Sequence, residues 1–338
     1  MAITFASGSI IQQGLLDAFN EGGQYYVAHP HVAPALTVRE RGGQLQVLPV
    51  AASTPGDEFN AVKIPGQPYT QATGAYTGVS FACVPVGVEA AVDLSLRLPE
   101  SALIDGARVC RRLLDTAAES TAVGKITGSS FLTHDASAWS ATASDPAADV
   151  MAAAAKIREA SGAYPNLLVV GAAAWETLLG HPALRDRVAA IRDRGPRAVE
   201  ESLGALLGVD RVVKSTVISG DTPAAVWPRD EAFLCVAAQP GDGPGVASAL
   251  RTVYWEGEGA SEDGWVVETY YDERTRSQYV RARANSDMVV VSEKLGCVIS
   301  GVLSDVSGGD GEGGGGGDGE GGGDGEGGGD GEGGGSGT

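Results

Sequence analysis

Asp145-Pro146-Ala147-Ala148-Asp149-Val150, a helical run, then Tyr164-Pro165-Asn166-Leu167-Leu168-Val169-Val170-Gly171, Trp175-Glu176-Thr177-Leu178 and His181-Pro182-Ala183-Leu184-Arg185-Asp186-Arg187 form the most informative stretch of the chain. Asp145 is an N-cap residue followed by Pro at the first helical position, where the missing N–H costs nothing. The helix should run over 147–160 and stop at Ser161-Gly162. Leu167–Val170 is a short, wholly apolar run that reads as a buried strand. Short helices are expected at 172–179, ended by Gly180, at 181–192, and at 197–207, ended by Gly208. Strands are expected at 211–218, 224–227 and 232–237. The middle third is therefore a mixed α/β block.

Upstream, Pro99 to about Gly124 reads as the longest helix, with Leu103, Ala107, Cys110, Leu114, Ala117 and Ala118 at 3–4 spacing and Glu100 at the positive end of its dipole. Residues 129–145 read as a Ser/Ala/Thr-rich connection. Before the long helix, Leu45–Val50 and Phe81–Leu98 alternate like strands. They flank some thirty residues rich in Pro and Gly and poor in large apolar groups. Such an excursion cannot bury itself and signals function; a long two-stranded arm reaching a neighbouring subunit would account for it. Residues 1–35 also read as an arm. Ile10, Ile11, Leu15, Leu16 and Phe19 make one helical stripe, Ser9 can cap it, and an extended stretch broken by Pro30 and Pro34 follows. A helix with one apolar stripe must lie on the body or on another subunit. Downstream, 252–255, 265–271, 277–283, 287–292 and 296–302 read as strands of a final antiparallel sheet.

Composition narrows the function. The 338 residues hold 43 Asp+Glu against 24 Lys+Arg, a net charge of −19. Eight of those acids and 21 of the 50 glycines fall in the last 32 residues, Ser307–Thr338, leaving a body of net charge −11. The tail repeats Gly-Gly-Gly-Asp-Gly-Glu and reads as a solvated, self-repelling polymer rather than a calcium loop, which needs spaced and rigid ligands. An acidic body argues against a dedicated nucleic-acid reader. No apolar run approaches membrane-spanning length, and Met1–Phe5 does not resemble a secretory leader.

No phosphate loop, dinucleotide fingerprint or nucleophile elbow occurs. Cys83, Cys110, Cys235 and Cys297 form no C-x-x-C pair and read as buried reduced thiols. His29 and His31 could share a strand face as metal ligands, but no carboxylate lies at useful spacing, and polar residues of an extended segment are the simpler reading. A Ser130–His134–Asp135 arrangement can be drawn, as in any such loop. His181 before Pro182 suits a capping role. The expectation is therefore no catalytic, cofactor-binding or metal site, and no enzyme.

In the order of its elements and in the Pro-Asn-apolar-Gly and His-Pro runs quoted above, continued through Leu203–Leu207-Gly208-Val209, the chain resembles the major capsid proteins of tailed bacteriophages, of the Hong-Kong-97 type. That resemblance implies an α+β fold with an N-terminal arm (1–35), an extended β-hairpin or E-loop (36–92), a spine helix (93–128), an axial α/β domain (129–250), a peripheral antiparallel sheet (251–306) and the acidic Gly-rich tail (307–338). It implies a structural subunit that self-assembles through hexamers and pentamers into the icosahedral head of a virion, encloses double-stranded DNA by non-specific contact, and is assembled in the host cytoplasm with no membrane partner. An encapsulin-like nanocompartment shell is the alternative. Scaffolding, portal and cement or decoration proteins are the further partners implied. The absence of a charged helical segment before residue 35 points to a separate scaffolding protein.

The acidic body suits enclosed DNA, since a basic lining would bind phosphates and resist packing. Lys63, Asn285 and Glu293 supply the residue types of the isopeptide cross-link made in one branch of these proteins. The arm is expected under a neighbouring subunit and residues 50–80 across another. The helix near 172–192 and the loops around 193–200 and 239–248 are expected toward capsomer centres, with Arg185, Asp186, Arg187, Arg192, Asp193 and Arg194 either paired between subunits or solvated. The tail is expected outside the shell.

Overall fold

The computed structural model describes residues 10–23, 26–47, 76–93, 99–189, 196–257 and 264–303. Helix α1 (Ile10–Glu21) and the single turn α2 (His29–Val32) precede β1 (Ala35–Val38), β2 (Gly42–Val47), β3 (Thr77–Ala82), β4 (Val84–Asp93) and the 29-residue helix α3 (Pro99–Thr127). Then come β5 (Leu132–Asp135), α4 (Pro146–Ser161), β6 (Leu167–Gly171), α5 (Ala172–Gly180), α6 (Pro182–Ala189), α7 (Pro196–Leu207), β7 (Arg211–Ser215), β8 (Ile218–Ser219), β9 (Ala224–Ala225) and β10 (Glu231–Cys235). Strands β11 (Leu250–Trp255), β12 (Trp265–Asp272), β13 (Ser277–Val290) and β14 (Gly296–Ser300) complete the order.

The diagnostic stretch folds as its residues direct. The Asp145 carboxylate accepts the N–H groups of Ala147 and Ala148 at 3.1 and 3.2 Å, which caps α4. Gly162 ends α4 at φ 76°, and Gly208 follows α7 at the same angle, a conformation only glycine adopts without strain. Strand β6 is buried throughout because it lies inside a five-stranded sheet, order β5-β14-β10-β6-β7, covered on both faces. Leu168 and Val170 pack with Val150, Ala153 and Ile157 of α4, Leu178 of α5 and Leu203 and Leu207 of α7. Leu167 and Val169, pointing the other way, pack with Ala122 and Ile126 of α3 and Ala28 and Val32 around α2. Each such leucine contributes about 1.5–3 kcal/mol by leaving water.

The other large sheet is built on β13. Its residues 277–286 pair with β4, while β12 and then β11 pair along it through residues 277–284 and 286–290. Short β1 adds parallel to β11. Alternation divides the faces: Val280 and Ala282 pack with Leu103, Ala107, Cys110 and Leu114 of α3, together with Leu15 and Phe19 of α1. Tyr279, Arg281 and Arg283 point the opposite way.

Several expectations are corrected. Gly124 does not stop the long helix. Buried Ile126 holds the last turn in the cluster with Val169 of β6 and Phe233 of β10, and the Gly128 N–H closes onto the Gly124 carbonyl at 3.0 Å. Part of the 129–145 connection is strand β5, which pairs parallel with β14. The alternating run from Phe81 breaks at Cys83, whose N–H bonds the Arg41 carbonyl at 2.8 Å. Phe81 therefore belongs to the two-stranded β2–β3 hairpin, and Val84 begins the β13-centred sheet. The two strands expected at 277–283 and 287–292 are one continuous strand, because β4, β11 and β12 supply pairing across Ala284-Asn285-Ser286. Strand β14, expected in the final sheet, instead inserts between β10 and β5. Residues 251–306 thus divide between two sheets, and β1 and β4 from the 36–92 region join the first of them.

Candidate functional site

The most elaborate buried polar arrangement ties the arm to the long helix. Ala28-His29-Pro30-His31-Val32, expected to be extended, forms a single helical turn with Pro at its start. Ala28 stands at the N-cap and has no side-chain oxygen to offer. The cap comes from Glu119 of α3, which is fully buried. Its carboxylate accepts the Ala28 N–H at 3.2 and 3.1 Å and the His29 N–H at 2.8 Å. The His29 Nδ1 lies 3.3 Å from Glu119 Oε2, and its Nε2 lies 3.9 Å from Asp115 Oδ1. Arg111 closes the chain by donating to Asp115 at 2.9 Å while its guanidinium covers the Phe19 ring at 5.2 Å.

Burial pushes the Glu119 carboxyl up, but hydrogen bonding and the charge of His29 outweigh it and hold the group below the usual carboxylate range. His31 goes the other way for a base. Burial, Arg211 and His29 lower it to about 4, against a smaller pull from Glu119. The carboxylate partners thought missing therefore exist for His29, some ninety residues away on another element. Sequence spacing could not show them. The only signal was two acids, Asp115 and Glu119, on the apolar side of a long helix.

This arrangement also revises the arm. Helix α1 lies on its own subunit's α3 and β12, with Leu15 and Phe19 buried there. Gly22 fits directly against α3, where a Cβ would stand 2.7 Å from the Arg108 Cα. The described part of the arm thus lies on the body of its own subunit.

At the hairpin base, Leu45, Val47 and Phe81 pack with Leu36, Val253 and Val289. The Ala82 N–H donates to Asp287 at 2.9 Å, which fixes the hairpin base to β13. Its residues 48–75, including Lys63, lie outside the described residues. On the exposed face of the β13 sheet, Arg281 sits in register between Glu268 and Glu89 and pairs with both. Arg283 also pairs with Glu268, at 3.2 Å, and the Tyr270 hydroxyl donates to Glu89 at 2.7 Å. Hydrogen bonds from Tyr270 and Arg281 hold the Glu89 carboxyl below its ordinary range.

The remaining candidates separate. Ser130, His134 and Asp135 form no triad: His134 faces Asp149 at 3.7 Å, whereas Asp135 accepts from Ser300 at 3.0 Å. His181 serves as a cap, its Nδ1 accepting the Ala183 N–H at 3.3 Å. All four cysteines are free and buried. Burial raises each thiol, Cys297 to about 11. Asn285 sits within β13, and Glu293 accepts the Ser130 N–H at 2.9 Å. Arg185 is exposed on α6, whereas Asp186 and Arg187 are described only as helix backbone, and residues 192–194 lie outside the description. Among the described residues no group of three or more His, Cys, Asp or Glu could hold a metal, and no helix is long and apolar enough to cross a membrane.

The described residues thus make an α+β subunit with a β2–β3 hairpin base fixed to the body and a long helix packed under one face of the β13 sheet. Residues 129–235 match the family model of phage major capsid protein E. The fold is similar to that of a phage-related protein from Bordetella bronchiseptica RB50, at 20% identity over 85% of this chain and 96% of that one, with a TM-score of 0.64. A virus-like particle from Pyrococcus furiosus matches at 12% identity, over 86% and 98% of the two chains, with a TM-score of 0.53. A prophage protein of Escherichia coli CFT073 described as a capsid protein matches at 13% identity, over 90% and 100%, with a TM-score of 0.50. No curated protein matches in sequence. Fold and family match together support a phage major capsid protein.

Proposed function

We propose that the chain is the repeating subunit of an icosahedral phage head, assembling through hexamers and pentamers around double-stranded DNA in the host cytoplasm. The observation that carries this reading is the family match over 129–235 set within a capsid-type fold. The hairpin base supports a role for residues 48–75 in reaching a neighbouring subunit: the strands on either side of them, β2 and β3, are held to the body by buried Leu45 and Phe81. Scaffolding and portal proteins, and a decoration protein, are the further partners of this reading.

The purified full chain should form shells or capsomer-sized particles by electron microscopy; a protein that stays monomeric at assembly concentrations would overturn the proposal. Deleting residues 55–75 should leave a folded subunit, by circular dichroism, that forms no shells. Normal shells from that deletion would remove the hairpin from the assembly mechanism.

The acidic tail, repeated on every subunit, would make a dense brush of like charge. Its placement outside the shell avoids opposing DNA as the head fills. Protease treatment of intact particles should then shorten every subunit to about residue 306, and full protection would place the tail inside.

A further inference from the structure

Arg251, on β11, is only 2% exposed, among the largest fully buried side chains of the protein. Its Nη2 donates to the Gly243 carbonyl at 3.1 Å, but its Nη1 is buried with no hydrogen-bond partner among the described residues. Other arginines here have carboxylates: Arg111 has Asp115, Arg281 has Glu89 and Glu268, Arg283 has Glu268. A buried guanidinium held by one carbonyl is costly to a subunit on its own, and well-packed apolar replacements of such groups are often neutral or stabilising. The segment over Arg251 is the β10–β11 loop, Gln239–Ser248. It contains Pro240, Gly241, Gly243, Pro244 and Gly245, exposes Val246, and is held by short-range bonds, among them Gln239 N–H to Asp242 at 2.8 Å. The charge of Asp242 acts on Arg251, yet its carboxylate accepts the Gln239 N–H and makes no ion pair with the guanidinium among the described residues.

We propose that Arg251 is the internal receptor of a subunit–subunit contact: loop 239–248 shifts as a second copy of the chain docks, and Nη1 takes a carboxylate from that copy. The inference rests on the shell-subunit reading. A second copy fits the chemistry, because the chain carries 43 acidic against 24 basic groups, so a copy offers many carboxylates for few cations. The charge is then a burden in the free subunit and a specific contact in the assembled one.

The test compares the full-length wild type with Arg251→Met, Arg251→Lys and Asp242→Asn. Denaturant unfolding reads the subunit, and sedimentation with electron microscopy reads assembly. Arg251→Met should unfold at or above the wild-type midpoint, yet require about tenfold more protein to assemble, the loss expected of one desolvated charged contact. Arg251→Lys should recover part of that loss, and Asp242→Asn should assemble like the wild type. An Arg251→Met protein that is less stable, or that fails to fold, would assign the arginine to the subunit's own stability and overturn the proposal. So would unchanged assembly of Arg251→Met, or an assembly defect in Asp242→Asn that matches it, which would place the carboxylate in cis. A wild-type chain that never assembles would instead overturn the shell-subunit reading beneath it.

Discussion

Glu119→Ala should lower the stability of the unassembled subunit by about 3–5 kcal/mol, the largest effect of any single polar substitution proposed for this chain. The carboxylate accepts three N–H···O contacts from Ala28 and His29, and Ala28 is fully buried. Removing it strands two buried backbone donors at about 1–3 kcal/mol each, and takes from His29 the charge it faces. Glu119→Gln keeps an acceptor oxygen but loses the charge and part of the cap, so a loss of about 1–3 kcal/mol is expected. Urea unfolding of dilute subunits checks both values. Amide exchange separates a local from a global effect: protection at Ala28, His29 and Val32 should fall first, before that of β6. Wild-type stability in Glu119→Ala would mean that the arm turn contributes nothing to the fold.

The axial block was legible because its signals are local. A capping Asp, a Pro at the next position, a four-residue apolar run and helix-stopping glycines each act within a few residues, and the structure follows them at Asp145, Pro146, Leu167–Val170 and Gly162. The sheets were less legible because strand partners are set by distant sequence. Nothing within Gly296–Ser300 says whether it pairs with β13 or with β10. The choice belongs to the whole core, where Cys297 and Ile299 join the cluster around Leu168. Pairing across Ala284-Asn285-Ser286 is likewise imposed by neighbours on a segment whose own residues suggest a turn. Gly124 misled in the opposite direction, since burial of Ala122 and Ile126 outweighs the weak propensity of one glycine, about 1 kcal/mol.

The polar joints were the least legible. Glu119 and Asp115 lie off the stripe of 103, 107, 110 and 114, toward the side of α3 that carries Ala122 and Ile126, and only the fold brings them to a histidine of the arm. Arg251 is hidden for the same reason: in sequence it is one basic residue at the start of an ordinary strand. Once such charges are buried, removing one partner is costly, so each joint tolerates only one arrangement of the elements it connects. That is the requirement on a shell subunit, whose arm, helix and sheet must hold fixed relative positions if many copies are to close one surface.

Acid should weaken that joint through His31. Its folded-state value, about 4, lies below the ordinary 6.5, chiefly through burial, then Arg211 and His29. The unfolded chain therefore binds a proton more readily than the native one between those two values, and stability falls as pH drops through that window. The contribution is fully present above about pH 6.5 and is exhausted below about pH 4. The gap corresponds to roughly 3 kcal/mol at its limit. Glu119 does not offset this loss. Its carboxyl is held below the usual range, so its own contribution is present at neutral pH and disappears only as pH falls through that lowered value. Urea midpoints at pH 7 and pH 4.5 should therefore differ more for the wild type than for His31→Gln, which keeps a polar side chain of similar size but cannot take the proton. The difference of differences should be about 2 kcal/mol, nearly all of it acquired below pH 6.5. Parallel pH profiles for the two proteins would show that His31 binds protons equally in the folded and unfolded chain, and would leave acid sensitivity to the other histidines and the carboxylates.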